Sequence, residues 1–120
     1  MPHVIVDEEP DLRAVLEAFE PDVHQEEGRV ARTKEAFVSA DETELVITGL
    51  AIDQGDKANV LLRVTRREGD GVVRLDEQFR PEVTEPVKRL VARIADLVLE
   101  VTGAGIERTN VQAQLDAVRA

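Results

Sequence analysis

A histidine flanked by carboxylates lies in the polar segment of residues 21–28, and this group has the residue types and spacing of a metal site. Asp22, His24 and Glu26 alternate along the chain, and Glu27 follows directly. In an extended segment alternate side chains share one side, and imidazole with carboxylates is a ligand set that zinc and other transition metals accept. A solvated acidic loop accounts for the same residues, and it is the interpretation we adopt. The sequence therefore predicts no metal ion and no cofactor.

Four arginines form a second group that could act together. They lie on two adjacent predicted strands that flank one turn, and they are Arg63, Arg66, Arg67 and Arg74. Such a basic patch on an acidic protein could bind an anionic ligand or an acidic protein partner. The alternative is pairing across the strands with acidic neighbours, which are Glu68, Asp70, Asp76 and Glu77.

Enzyme motifs are absent from the sequence. The chain has no Gly-rich phosphate loop, no GxSxG, no HExxH and no cysteine. His3 and His24 have no candidate nucleophile beside them, and carboxylates are too abundant for one pair to be singled out as acid and base. We therefore expect a non-catalytic protein, with an enzyme that uses an unrecognised carboxylate site as an alternative.

The segment VIVDEEPDLRAVLEAF, residues 4–19, resembles the opening of response-regulator receiver domains. In that family the first strand ends in two acidic residues that hold a magnesium ion, so the resemblance implies such a role for the cluster Asp7, Glu8 and Glu9. The family's phosphoacceptor aspartate follows a later apolar strand of the type ELVIT, and Gly49 occupies that position here. The family's later Ser/Thr and Lys are missing as well. The resemblance implies a degenerate signalling domain.

A long helix over residues 84–105 is the element that must organise these groups. Thr84 is a candidate N-cap, Pro86 is tolerated in the first turn, and Gly103 and Gly105 supply the stop. Apolar residues recur at steps of three and one within a stripe about 120° wide, which predicts a buried face. The stripe comprises Val87, Leu90, Val91, Ile94, Leu97, Val98 and Val101.

A second, weaker apolar strip on the same helix consists of Ala92, Ala95 and Leu99. The predicted strand over residues 44–52 is apolar on both faces, whereas one long helix covers only one face of a sheet. These two observations predict a homodimer, with the strip of Ala92, Ala95 and Leu99 as a candidate contact.

Alternating apolar residues and turn signals predict strands built on residues 29–39, 44–52, 60–65 and 72–79, with Phe79 among the inward side chains. Connections of about four to five residues are too short for parallel crossovers, so we expect an antiparallel meander. The charged pair Lys34 and Glu35 interrupts the first strand, which indicates an edge strand or a bulge.

Shorter elements are predicted at both ends. A helix over about residues 11–20 follows from the spacing of its apolar residues, which are Leu12, Val15, Leu16 and Phe19. Residues 108–117 alternate polar and apolar types, which favours a strand. Val111, Leu115 and Val118 also fit a helix, so both alternatives stay open for residues 106–118.

Residues 86–118 are similar to the C-terminal part of the alkaline-shock protein family. The likeness rests on a helix that ends in Thr102 and Gly103, an apolar residue after it, and the run Thr109-Asn110-Val111 in an alternating tail. It implies a non-enzymatic, oligomer-forming protein connected with stress or the cell envelope.

The charge balance limits the partners of this chain. The 120 residues include 25 Asp and Glu against 15 Lys and Arg, a net charge of −10, and the whole excess lies in residues 1–60. Such a balance disfavours nucleic acid and anionic membranes, and three Phe with no Trp or Tyr leave little for base stacking. The absence of cysteine, of a signal peptide and of a long apolar run predicts a cytoplasmic protein.

The sequence thus predicts a single α+β domain over residues 1–120. We expect an antiparallel meander of about four strands, one long helix across a face, a short N-terminal helix, and a C-terminal strand or helix. The predicted function is a small acidic, non-catalytic protein-interaction module, adaptor or chaperone-like, that acts as a homodimer. A protein partner or self-association is expected, and a small-molecule ligand is left undefined.

Overall fold

The structure is a computed structural model and describes residues 1–76, 78 and 81–120. One continuous antiparallel sheet dominates this part of the chain. Within these residues there are seven strands and three helices. In chain order they are β1 (His3–Val6), α1 (Leu12–Ala18), β2 (Val23–Glu26), β3 (Arg29–Val38), β4 (Glu44–Asp53), β5 (Asp56–Arg67), β6 (Asp70–Leu75), α2 (Glu85–Thr102), β7 (Ile106–Thr109) and α3 (Gln112–Arg119).

The strands lie in the spatial order β2-β3-β4-β5-β6-β1-β7. Among the described residues each neighbouring pair is antiparallel, and the sheet curves into a half-barrel. The chain's N-terminal strand therefore lies between β6 and β7, which brings residues from both ends of the sequence to one side of the sheet.

The predicted fold class, a four-stranded meander with one long helix, is wrong. The strands β3 to β6 do pair in sequence order, but β2, β1 and β7 extend the sheet on both sides. β1 is only four residues long and pairs with β6 and β7, whose sequences lie about 70 and 100 positions away. Local alternation cannot reveal such pairings, because their partners are brought together only when the chain closes on itself.

The segment predicted as an acidic loop, residues 21–28, contains strand β2 instead. Val23 to Glu26 pair with the first four residues of β3, and Gly28 at φ 76° allows the tight turn between them. An edge strand has one free side and needs few buried side chains, so its polar sequence resembles that of a loop.

For the first meander strand the sequence left an edge strand or a bulge open, and the structure has a bulge there. The register between β3 and β4 shifts between Thr33 and Glu35, which leaves Lys34 as the extra residue. The expected inward side chain of Phe79 lies outside the described residues, as does Glu77.

Helix α2 forms where the sequence predicts it. It begins after Thr84, which lies at the N-cap without a side-chain cap bond, and it ends at Gly103 in the left-handed region at φ 72°. The predicted stripe is buried from Val87 to Val98, and Val101 is half-buried. Helix α1 also agrees with its prediction, and the Asp11 carboxylate caps it by accepting a hydrogen bond from Ala14 N at 3.1 Å.

The C-terminal segment, predicted as either a strand or a helix, contains both. β7 ends at Thr109, whose hydroxyl donates to the His3 carbonyl oxygen at 2.8 Å and so ties the two ends of the chain together. After Asn110 the chain turns into α3, which packs along α2 and buries Val111 and Leu115. The fold therefore has three layers, which are the sheet, α2 and α3.

The two faces of the sheet differ in burial along β4. Directly paired residues share a face, and along β4 the residues of one parity are buried, whereas those of the other are half-exposed. The buried parity forms the inner face, whose core is shared with buried residues of all three described helices. Side chains of the other parity form the outer face, against which no described helix packs.

Candidate functional site

An apolar surface on the outer face, here called the outer patch, is the first candidate site. Strand register places its members on one side of β2 to β5, and they are Val23, Val30, Phe37, Val46, Leu50, Ile52 and Leu61. The pairs Val30 with Ile52 and Phe37 with Val46 lie directly across from each other. Cross-strand apolar pairs hold neighbouring strands together, and on a covered face they would be buried.

The side chains of the outer patch are incompletely buried. Phe37 is 54% exposed and Val23 is 55% exposed, whereas the other members are half-buried. Single exposed apolar residues are ordinary, whereas a contiguous group of them is a candidate interaction surface. The sequence indicated this surface through the two-sided apolar pattern of β4, but not its extension to β2, β3 and β5.

The four arginines of the predicted basic patch are only partly brought together. Arg63, Arg67 and Arg74 lie on the outer face, whereas Arg66 has the opposite parity on β5. Arg63 Nε donates to Asp76 Oδ2 at 3.0 Å, and Arg63 Nη1 donates to Glu44 Oε2 at 3.4 Å. The hydrogen bond with Asp76 raises the pKa of Arg63.

A second member of the patch is also held within the chain. Arg67 donates from two nitrogens to the Asp70 carboxylate at 2.7 and 2.8 Å, and this contact lowers the pKa of Asp70. Arg63 and Arg67 are therefore partly neutralised by strand neighbours, which weakens the attraction of this patch for an outside anion.

The strip proposed as a dimer contact has no accessible surface in the folded chain. Ala92 and Ala95 are fully buried and Leu99 is 4% exposed. Two polar contacts bracket this side of α2, from Gln114 Nε2 to Glu85 Oε2 at 2.9 Å and from Arg119 Nε to Asp96 Oδ1 at 3.2 Å. We attribute the burial of the strip to α3, a helix that the sequence left as an alternative to a strand.

Asp7, the first residue of the acidic cluster that resembles a receiver site, is engaged within the chain. Asp7 Oδ1 accepts a hydrogen bond from Gly105 N at 2.9 Å, and Asp7 N donates to Gly105 O at 3.0 Å. A Cβ at Gly49, the position of the family's phosphoacceptor, would lie 2.9 Å from Arg32 O. The antiparallel pairing also differs from the parallel sheet of doubly wound domains.

The predicted metal-ligand alternative around His24 is not assembled. His24 Nε2 lies 3.4 Å from Glu26 Oε2, but Asp22 is engaged elsewhere, because it accepts from Thr33 Oγ1 at 2.7 Å and from Arg93 Nε at 2.7 Å. In residues 1–76, 78 and 81–120, no group of three His, Asp or Glu side chains is arranged to hold a metal ion.

A cleft between the sheet edge and the helices is the second candidate site. It consists of two cavities of about 180 and 230 Å³, which share His24, Ala31 and Arg89 in their linings. The inner side of β2 and β3 forms one wall, and α2 with α3 forms the other. Sequence reasoning missed this cleft, because its residues are dispersed over the chain and no local motif connects them.

Charged side chains surround the cleft. The guanidinium of Arg93 pairs with Asp22 at one end, and Glu26 and Glu85 lie at the other. The hydrogen bond from the Gln114 amide lowers the pKa of Glu85, and the charge of Lys88, whose Nζ lies 3.6 Å from Glu85 Oε1, lowers it further. This carboxylate is therefore ionised at neutral pH. Arg89 lies between these charges and lines both cavities.

Comparison of the chain with family models, with curated proteins and with solved structures found no match. Both family resemblances of the sequence therefore stay predictions. None of the helices in the described part of the chain is long and apolar enough to cross a membrane.

Proposed function

We propose that this protein is a small, non-catalytic interaction module that forms a homodimer through the outer patch. The single observation that carries the proposal is the apolar, half-exposed outer face of β2 to β5, in which Phe37 is 54% exposed opposite Val46 at one end of the patch. All three described helices contribute buried residues to the core on the inner face. A second copy of the chain would supply the missing cover.

The size of the outer patch suits a weak dimer. Strands lie about 4.8 Å apart and rise about 3.4 Å per residue, so β2 to β5 are about 19 Å wide and residues 46–52 extend about 24 Å. Because β2 spans only four residues, the flat area is roughly 410 Å² per copy, or roughly 820 Å² in a pair. This area is below the roughly 1,000 Å² expected of a stable specific interface, so we expect a weak dimer with micromolar affinity.

The charges inside the outer patch fit a two-fold symmetric contact. Arg32 and Glu35 lie on the same outward side of β3, and both are exposed. In a two-fold symmetric interface, a contact from residue i of one copy to residue j of the other is always accompanied by the reverse contact, from j to i. Arg32 of one copy can therefore pair with Glu35 of the other, twice.

Pairing through the strand edge is less favourable than pairing through the face. β2 covers only the first four residues of β3, so residues 34–38 have no strand outside them in the described chain. The bulge at Lys34, together with the charges of Lys34 and Glu35, twists and charges this edge, which are common protections against edge pairing.

Sedimentation equilibrium over a wide range of protein concentrations tests this proposal. We expect the wild-type chain to move from monomer to dimer with a micromolar midpoint, and the Phe37→Lys variant to stay monomeric. Val83→Lys is the matched control, because Val83 is an exposed apolar residue, 42% exposed, outside the sheet. Circular dichroism of all three proteins checks that the fold is retained.

The outcomes separate the proposal from its alternatives. A wild-type chain that stays monomeric at the highest concentrations overturns it. A dimer that Phe37→Lys and Val83→Lys leave equally intact shows that another surface is used, and also overturns it. The lack of cysteine agrees with our further proposal that the module acts in the cytoplasm, where thiols are kept reduced.

A further inference from the structure

Arg89 is the residue of the cleft that is best placed to bind a ligand. It lies in the second turn of α2, is half-buried, and lines both cavities. In the part of the chain that the structure describes, it has no carboxylate within ion-pair distance and no side-chain hydrogen bond. Arg93, one turn further along the same helix, is paired with Asp22 at 2.7 Å.

This lack of a partner distinguishes Arg89 from the other recessed arginines. The chain carries 25 acidic residues, and the half-buried Arg63 and Arg93 each contact a carboxylate. The other arginines that lack such a partner within the described residues are exposed to solvent, and these are Arg32, Arg66 and Arg108. A recessed guanidinium has lost part of its hydration, so an anion that restores its hydrogen bonds gains affinity.

The rest of the cleft restricts the kind of anion. Ala31, Pro86 and Ala117 supply an apolar wall, whereas Glu26 and Glu85 place two carboxylates at the same cavity. Arg29 also lines this cavity, but its charge is offset by Asp53 at 3.2 Å. These negative charges oppose a multiply charged ion such as phosphate, since like charges at close range repel. A singly charged carboxylate can accept the two parallel hydrogen bonds that the Arg89 guanidinium offers. It is also the anion that Glu26 and Glu85 repel least.

We propose that the cleft binds a small organic monocarboxylate, whose carboxylate pairs with Arg89 and whose short apolar body packs against Ala31, Pro86 and Ala117. The smaller cavity, of about 180 Å³, equals roughly six water molecules at about 30 Å³ each, so it accepts an acid of about five or six carbon atoms. Few atoms are buried in such a complex, and its affinity is in the millimolar range. The site adjoins the outer patch, because Val30 and Val23 also line its two cavities, but Arg89 is not part of that patch and the proposal does not rest on dimerisation.

An NMR titration of the full chain with isovalerate tests the site. We expect amide shifts in a ¹H–¹⁵N spectrum to move at Ala31, Arg89 and Ala117, and the Kd for isovalerate to weaken at least tenfold in Arg89→Gln. Arg108→Gln removes the same charge from an exposed position and is expected to leave the Kd unchanged. Arg89→Lys keeps the charge but loses the planar fork, so its Kd should lie between those of wild type and Arg89→Gln.

Two further ligands complete the experiment. Isovaleramide has the same apolar body without the charge and should not bind, and inorganic phosphate should not shift the cleft amides. The proposal is overturned if isovalerate moves no cleft amide, if isovaleramide binds as well as isovalerate, if phosphate binds more tightly, or if Arg89→Gln and Arg108→Gln weaken binding equally. The dispersion of each spectrum shows that the variants are folded.

Discussion

Ile94 lies in the middle of α2, fully buried, in the core that the sheet shares with the helices. Its replacement by alanine tests whether α2 is packed between layers, as the structure shows, or rests on the sheet alone. Helix α2 packs against β1, β3, β4, β5 and β6 on one side and against α1 and α3 on its other sides. A cavity at this position is therefore enclosed by elements that cannot all move inward together.

The expected loss of stability follows from two contributions. Alanine has three fewer carbon atoms than isoleucine, and at about 0.8 kcal/mol per buried carbon the transfer contribution is roughly 2.4 kcal/mol. The remaining cavity adds to this figure where the surroundings cannot collapse, and measured Ile→Ala costs reach about 2–5 kcal/mol. We expect Ile94→Ala to lower the free energy of unfolding by about 3–4 kcal/mol.

Urea denaturation followed by circular dichroism measures this loss. Ile94→Val should lose about 0.5–1.5 kcal/mol, and Glu100→Ala, at an exposed position of the same helix, should lose less than about 0.5 kcal/mol. The m-value should stay constant, because the unfolded surface hardly changes. A loss below about 1 kcal/mol for Ile94→Ala would refute the three-layer packing, since a site covered on one side only would relax around the smaller residue.

Two further predictions concern the ends of local elements. Gly103→Ala should lower the free energy of unfolding by about 1 kcal/mol in the same urea assay, because Gly103 has φ 72° and alanine is strained there; an unchanged midpoint would contradict this. Hydrogen bonds from the Ser39 hydroxyl at 2.7 Å, and then from Thr43, lower the pKa of Asp41. A pKa that is lower in the folded state stabilises the fold above the unfolded value of about 3.9, and this stabilisation is lost as pH falls through the folded pKa. Between pH 6 and pH 3 the Asp41→Asn variant should therefore lose less stability than wild type, and equal losses would count against the Asp41 contacts.

The elements with strong local signals could be predicted from the sequence. Helix α2 has seven apolar residues in one stripe and a glycine stop, and α1 has a capping aspartate, so both are specified by residues within a few turns of each other. The bulge at Lys34 was also predictable, because two adjacent charges interrupt an apolar alternation.

The remaining sheet could not be predicted, because its partners are distant in sequence. β2 is polar since it lies at an edge, and β1 is a run of four residues whose role depends on β6 and β7. Such pairings depend on closing long loops, and no local pattern records which segments meet.

The candidate sites show the same division. The two-sided apolar pattern of β4 predicted an uncovered face, and the outer patch is that face. The strip of Ala92, Ala95 and Leu99 was proposed as a dimer contact, whereas the structure buries it within the chain, where α3 packs on α2. An apolar pattern predicts that a surface is buried, but it does not indicate which element covers that surface.

The sequence by itself determined the acidic charge, the aliphatic core and the helix and strands whose periods are local. Only the tertiary structure decided that β1 lies between β6 and β7, that α3 covers α2, and that Arg89 lies recessed in a cleft without a carboxylate partner among the described residues. The physical reason is that periodicity is a property of neighbouring residues, whereas cover, clefts and charge pairing are properties of segments that meet only in the folded chain.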